Sequence, residues 1–424
     1  MKNIRSFQGQ SIKNYVKALF ASACLLISVT VPAQQKIKKT VFIIVDGIPA
    51  DVIEKLPVTN LQAIAKAGGY SRSYVGGIKG TYNQTPTISA VGYNSVLTGT
   101  WVNKHNIWDN DIADPNYHYP TIFRILKEQY PGKKTGIFSS WLDNRTKLVG
   151  DRFPATGNIS LDYTYDGLEN DTVNYPHDEQ REFMSHIDES VAKKAAEVIQ
   201  THAPDLSWVY LEYTDDMGHL HGDSPEFYKA VELADKRVGY IWKAIQYRQQ
   251  HFNEDWLIIV TTDHGRDAAT GKGHGGQSDR ERESWIFTNA KNLNPEFQAP
   301  QLSATDIMPS IARFMQISIP KDPAFEVDGI PFTGALSFIT PHFQYKNESL
   351  DISWKALVKK GQVKVWLALT NNFKTGGKDA YVLLGTVPLT DEKARFTLSG
   401  KSSAFYKIVL EAEKNTANYW IEKK

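Results

Sequence analysis

Three apolar runs in this chain end in a carboxylate or an Asp-His pair. Val41-Phe42-Ile43-Ile44-Val45 runs into Asp46-Gly47; Trp208-Val209-Tyr210-Leu211-Glu212-Tyr213-Thr214 runs into Asp215-Asp216-Met217-Gly218-His219; Ile258-Ile259-Val260-Thr261-Thr262 runs into Asp263-His264-Gly265. A further glycine-flanked histidine, His274, follows in Gly273-His274-Gly275-Gly276. Each signal is weak by itself, since Asp-Gly is ordinarily a turn and a histidine beside glycine is ordinarily solvated or a helix cap. Together they carry more. Ligands of an open α/β sheet bind beyond the carboxyl ends of its strands, and three such ends on one edge bring three carboxylates and three imidazoles together. Six oxygen and nitrogen donors are what two zinc ions require, each keeping a position open for substrate.

The elements that must hold these residues are legible in the same pattern. Thr40–Val45, Thr135–Ser139, Ser207–Tyr213, Trp256–Thr261 and Ser284–Phe287 are continuously apolar rather than alternating, as strands covered on both faces are. Between them, Ile53–Ala67, Ile187–Thr201, Phe227–Gln249 and Ala304–Met315 carry apolar residues at helical spacing. The expectation is an α/β domain over residues 34–341 with a mostly parallel sheet and right-handed crossovers. Beyond Pro341 the signal changes. Asp351–Leu357, Gln362–Thr370, Ala380–Gly385, Ala394–Ser399, Phe405–Ala412 and Ala417–Ile421 alternate in polarity between Asn, Gly, Asp and Lys turns. This predicts a small antiparallel β-sandwich over residues 342–424.

The chain opens with Lys2, Arg5, Lys13 and Lys17, then an uncharged, mostly apolar run from Ala18 to a small-residue site at Val31-Pro32-Ala33. That layout reads as a secretory signal peptide over residues 1–33, and the run is short for a membrane span. The mature chain is expected to have no transmembrane segment and to reside in a periplasm. Cys24, the one cysteine, lies inside the apolar run, so a lipoprotein anchor is the poorer reading and the mature protein is expected to lack disulfides. Removing residues 1–33 leaves 44 basic against 47 acidic side chains. This near-neutral balance argues against general nucleic-acid binding. About 390 residues remain, enough for one large and one small domain; oligomeric state is not legible.

Asp46, the segment Pro86-Thr87-Ile88-Ser89 with Leu97-Thr98-Gly99, Asp109-Asn110, Asp215 to His219, Asp263-His264 and His274 resemble, in order and spacing, the nucleotide pyrophosphatase/phosphodiesterase family of the alkaline phosphatase superfamily. The resemblance runs through most of residues 39–340 and leaves the C-terminal segment outside. It implies an alkaline-phosphatase-like three-layer core and a metal-dependent hydrolase of small phosphate esters. One zinc, or another divalent cation, would be held by Asp46, Asp263 and His264, and a second by Asp215, His219 and His274. Ser89 falls on the family's nucleophile and Asn110, 21 positions later, on its phosphoryl-oxygen donor.

A serine hydroxyl needs a base or a metal to become a nucleophile at neutral pH. A helix N-terminus favours an incoming phosphate, and an amide donor there acts as an oxyanion hole does. Thr85, Thr87 and Ser95 surround Ser89 and compete with it as helix caps. Asp216 and His221 read as solvated or supporting groups, His105 as structural, and Glu212 as a partner in an ion pair.

The substrate is less legible. Nucleotide-cleaving relatives place an aromatic residue just after the nucleophile, where this chain has Ala90-Val91-Gly92-Tyr93. One side of a base-stacking clamp is therefore missing, while Tyr210 matches the other. Arg145 loosely resembles the basic position of monoesterase relatives, where a guanidinium pairs with a dianionic phosphate. A phosphodiesterase is the first expectation and a phosphomonoesterase the alternative. The sulfatase branch is disfavoured because no Pro-x-Arg follows Ser89. A non-catalytic exported protein that binds glycan or protein is the reading of another class.

Overall fold

The strand β1 (Ile37–Val45) is buried from Lys39 onward, and its side chains alternate between two apolar layers. Val41, Ile43 and Val45 join one layer, Phe42 and Ile44 the other. A strand that must bury both faces can carry no polar alternation, which is why the run reads as continuously hydrophobic. The computed structural model describes residues 35–400 and 403–422; the expected signal peptide, Cys24 included, lies outside them.

Six further strands complete the main sheet: β2 (Gly69–Tyr74), β3 (Thr135–Ser139), β4 (Tyr163–Tyr165), β5 (Leu206–Leu211), β6 (Glu254–Thr261) and β7 (Glu283–Thr288). Their order is β2-β7-β6-β1-β5-β3-β4. Pairing is parallel from β6 across to β4, whereas β7 runs antiparallel to β6 and β2 antiparallel to β7. Helices Thr59–Ala67, Glu182–Thr201 and Pro225–His251 cover one face, and Ser89–Thr98, Ile122–Gln129 and Ile307–Met315 the other. The expected three-layer, mostly parallel α/β core is present.

Local chemistry moves several boundaries. The helix expected over Ile53–Ala67 is two, Ala50–Lys55 and Thr59–Ala67. Pro57 lies between them, where its ring and missing N–H cannot continue a helical ladder. The strand expected to reach Tyr213 stops at Leu211, and Tyr213 opens a helix to His221. Asp215 and His219 therefore sit four residues apart on one helical face.

The C-terminal region contains a three-stranded sheet built from β8 (Phe338–Lys346), β9 (Ser349–Ala356) and β12 (Lys393–Thr397). A four-stranded sheet combines β10 (Gln362–Ala368), β11 (Val382–Pro388), β13 (Phe405–Glu411) and β14 (Thr416–Glu422) in the order β11-β10-β13-β14. All pairings in both sheets are antiparallel. Ile352, Trp354, Val365, Leu367, Ile408 and Leu410 pack between them. The first strand begins at Phe338, ahead of the expected boundary, because Pro341 does not end it. Proline is tolerated at the register shift between Ile339 and His342, where the regular ladder is interrupted.

Among the described residues no helix is long and apolar enough to cross a membrane. Phe42, fully buried, lies with its ring centroid 5.9 Å from Trp208 and 6.1 Å from Phe123. Phe42→Ala is expected to lower stability by about 3–5 kcal/mol in urea unfolding, the cost of a large cavity in a close-packed layer; a loss under about 1 kcal/mol would show that this layer is not packed as described.

Candidate active site

Because β5, β1 and β6 are neighbours, their carboxyl ends lie side by side, and the residues that follow them meet. Asp46 and Asp263 are fully buried, as is His264. His264 Nε2 lies 3.4 Å from Asp46 Oδ1, 3.3 Å from Asp263 Oδ2 and 3.4 Å from Ser89 Oγ. His219 Nε2 is 3.2 Å from Asp215 Oδ2, and His274 Nε2 is 3.0 Å from His219 Nε2 and 3.9 Å from Asp215 Oδ1. The His264 and His274 rings stack with centroids 3.8 Å apart. Two groups of donor atoms, Asp215 with His219 and His274, and Asp46 with Asp215 and His264, each fall within 4.8 Å of one another.

The hydrogen bonds at the outer nitrogens decide what these atoms can hold. His264 Nδ1 lies 3.0 Å from the Gly265 carbonyl and His274 Nδ1 2.9 Å from the Thr87 carbonyl. A carbonyl only accepts, so both Nδ1 atoms carry the proton and both Nε2 atoms present lone pairs inward. Those lone pairs face carboxylate oxygens and one another, an arrangement that repels unless a cation sits among them. Asp46 Oδ1 and Asp263 Oδ2 are likewise buried with no hydrogen-bond donor. Buried polar atoms are normally paired, so two such orphans on one edge mark the place of a missing positive partner. The donor set fits divalent metal.

The charges respond accordingly. Burial, then repulsion from Asp263 and Asp215, pushes the Asp46 carboxyl well above the usual carboxylate range. Burial and the Asp215 charge lift Asp263 to about 7. Burial also opposes the Asp215 charge, but Arg266 and the His219 hydrogen bond outweigh it and hold that carboxyl well below its usual range. His264 is lowered well below its ordinary value, chiefly by burial.

Arg266 escaped the sequence reading. Its side chain is fully buried and donates from Nε to the Gly47 carbonyl (2.9 Å), from Nη1 to the Lys272 carbonyl (2.8 Å) and from Nη2 to the Asp215 carbonyl (2.8 Å) and carboxylate. One rigid fork thus ties the turn after Asp46, the helix that carries Asp215 and the loop leading to His274. A Cβ on Gly218 would collide with this guanidinium, and Gly47, at φ +67°, has its Cβ space taken by Asp215 and Arg266. The only trace in the sequence is the fourth residue of Asp263-His264-Gly265-Arg266, and an arginine is ordinarily a solvated one.

Tyr93 was missed as well, and Tyr210 is relocated. Both hydroxyls donate to Asp46 Oδ2, that of Tyr210 at 2.7 Å, and the two lie 2.8 Å apart. They pin one oxygen of Asp46 and leave Oδ1 to the cluster. Tyr210 is only 2 % exposed and lies beneath Asp46, so it offers no open face to a substrate base.

Ser89 opens the Ser89–Thr98 helix after Ile88, beside the unpaired N–H groups of its first turn. Asn110 is exposed, and its Oδ1 accepts from the Ala90 N–H at 3.0 Å. This orients the amide with Nδ2 as the remaining donor. Arg145 makes its contacts elsewhere: Nε and Nη2 bond both Asp166 oxygens at 2.7 and 3.0 Å, and Nη1 bonds Asp151 at 3.2 Å. A phosphate dianion would have to displace Asp166 to use it. Asp216 and Glu212 both pair with Arg181, at 2.8 and 3.1 Å. His105 is buried between Ser95 Oγ and the Ile107 N–H.

Arg266→Lys keeps the charge but not the fork. It is expected to weaken metal retention about 10- to 100-fold, as loss of a partner that orients ligands does, measured as metal content after dialysis against graded chelator. Retention equal to the parent protein would show that the three loops hold their places unaided.

Known proteins resemble this chain over the segment that holds the site. The family described as type I phosphodiesterase / nucleotide pyrophosphatase matches residues 40–286. Human ectonucleotide pyrophosphatase/phosphodiesterase family member 5 is 24% identical over 254 residues, 58% of this chain and 48% of that protein. Venom phosphodiesterase CdcPDE of Crotalus durissus collilineatus is 24% identical over 185 residues, 43% of this chain and 21% of that one. The chain thus matches about half or less of these relatives' lengths. A crystal structure of an alkaline phosphatase superfamily protein from Vibrio parahaemolyticus shares the fold, with TM-score 0.50 and 14% identity over 76% of this chain and 78% of that one. From the strand-end carboxylates to the matched segment that contains all of them, the chain belongs to the type I phosphodiesterase / nucleotide pyrophosphatase family.

Proposed function

We propose that this chain is an exported phosphodiesterase of small phosphate esters that works with two zinc ions and a phosphoseryl intermediate on Ser89. The observation that carries the reading is the convergence of inward lone pairs and orphaned carboxylate oxygens beside one serine hydroxyl at a helix start. Asp46, Asp263 and His264 would hold one ion and Asp215, His219 and His274 the other. Bound zinc supplies Lewis-acid charge that lowers the cost of ionising a hydroxyl and stabilises negative oxygens in the displacement.

The chain's own groups account for the remainder. Ser89 Oγ gives its proton to solvent and forms the bond to phosphorus, and the ester oxygen opposite leaves with the bonding electrons and takes up a proton from solvent. The first-turn N–H groups of the Ser89–Thr98 helix other than that of Ala90, which is held by Asn110 Oδ1, and the Asn110 Nδ2 donate to the non-bridging oxygens. Water then cleaves the phosphoserine and returns the proton to Ser89 Oγ. The engagement of Arg145 by Asp166 and Asp151 supports a diester over a monoester, since this guanidinium is already paired and not free for a terminal dianion.

The short, basic, then apolar N-terminus supports export. A non-catalytic binding protein would have no use for six inward-facing donors beside a serine.

Two measurements test the reading. The purified chain should carry close to two zincs and turn over bis-p-nitrophenyl phosphate faster than p-nitrophenyl phosphate; a large preference for the monoester would overturn the diester assignment. Ser89→Ala should lower kcat by at least ~10³-fold with zinc content retained, as removal of a nucleophile does; undiminished turnover would move the nucleophile to another hydroxyl.

A further inference from the structure

The ligands that follow β1, β5 and β6 are positioned by the main sheet. The helix that Ser89 opens packs on that sheet as well, but the segment ahead of it, residues 77–88, and the segment that carries Asn110, residues 101–120, both lean on the C-terminal region.

On the approach side, Tyr82 packs its ring against Trp420 (5.8 Å) and Tyr419 (5.6 Å) of β14. On the departure side, Lys104 is completely buried. Its ammonium donates to Asp328 at 2.6 Å, to the Glu326 carbonyl at 2.7 Å and to Asn418 of β14 at 2.9 Å. Asn418 returns a bond to the Val327 carbonyl. Glu326 in turn pairs with Lys407 of β13, which also bonds Asp379 at 2.7 Å, so the buried charges form one chain across the junction.

Farther along the same segment, Asn116 donates to the Lys374 carbonyl at 2.9 Å. The Tyr119 ring meets Phe373 edge-on at 5.1 Å, and His118 fills the space over Gly376. Residues 373–376 belong to the connection between β10 and β11. Asn110 therefore lies between two anchored points, Lys104 and Asn116, and its own bond to the Ala90 N–H passes that placement to the residue beside Ser89.

We propose that the C-terminal β-sandwich is a positioning element for the phosphoryl-binding half of the site: it holds the loops that aim Asn110 and Ser89, and takes no part in holding metal. The inference rests on the phosphodiesterase reading and gives the sandwich a task in it. An accessory module free to bind a separate ligand would meet the α/β part through exposed, solvated contacts. This one meets it through the buried Glu326–Lys407 ion pair and the bond from buried Lys104 to Asn418, and buried charges are costly unless fully satisfied. Lys104, Tyr82 and Asn116 are positioning residues, since each acts through Asn110 and Ser89.

Deleting the sandwich would strip the buried Glu326 carboxylate of Lys407 and Lys104 of Asn418 and endanger folding, so the test uses Tyr82→Ala with Asn116→Ala in the full chain, which leaves every buried ion pair named above intact. With zinc content unchanged, kcat on bis-p-nitrophenyl phosphate should fall about tenfold, since small misplacements of an oriented donor are costly. KM should change less. In an Asn110→Ala background the same two substitutions should cost less than about twofold. A tenfold loss in both backgrounds would mean a purely structural defect and would overturn the inference, as would undiminished kcat in the Asn110 protein.

Should Asn110→Ala alone leave kcat intact, the role given to Asn110 under the phosphodiesterase reading fails. Hydrogen exchange at the Ala90 amide then decides the inference by itself. Faster exchange in the Tyr82→Ala, Asn116→Ala protein supports the anchoring, and unchanged exchange overturns it.

Discussion

Like charges and lone pairs crowded onto one sheet edge repel one another, and the site is built around that constraint. Asp46, Asp215 and Asp263 crowd about His264, and Asp215 also about His274, and the inner nitrogens of both rings offer no proton. Only positive charge can hold such a set together. The chain supplies part of it through Arg266, which neutralises Asp215 from behind, and leaves Asp46 Oδ1 and Asp263 Oδ2 for bound cations. The neighbours of these groups can be understood as the means of enduring that crowding: two phenols on Asp46 Oδ2, backbone carbonyls fixing both imidazoles, and glycines where a side chain would not fit.

The sheet supplies the rigidity this requires. β5, β1 and β6 are buried on both faces, so their ends cannot shift without disturbing two apolar layers. Arg266 then joins the three loops that leave those ends. The division of labour is clear in the geometry. Strand ends carry the candidate metal-binding carboxylates, whereas Ser89 opens a helix packed on the sheet and Asn110 stands on a loop that touches the C-terminal region.

The sequence reading erred where a residue's partner lies far away in the chain. Tyr210, five residues before Asp215, looked like a residue facing substrate, yet strand alternation turns it beneath Asp46, 164 positions away. Arg145 looked like an available cation until Asp151 and Asp166 were found on it. Arg266 carried little signal beyond its place after Asp263-His264-Gly265, because what distinguishes it is total burial, and burial of an arginine is a property of its surroundings. Pro57 and Pro341 mark the opposite pair of cases. The first breaks a helix by its own chemistry, while the second is accommodated by a register shift that the neighbouring strand permits.

By itself the sequence determined the α/β core, the antiparallel C-terminal region and the residue types at the strand ends, because periodicity and the chemistry of Asp and His are local properties. It supplied the candidates Asp46, Asp215, His219, Asp263, His264 and His274 for the same reason. Which lone pairs point inward, which arginine is spent and which is a brace, and what the C-terminal strands press against were decided only by the tertiary structure. Those are facts about distance and burial between residues up to 314 positions apart, as Lys104 and Asn418 are, and no spacing along the chain encodes them.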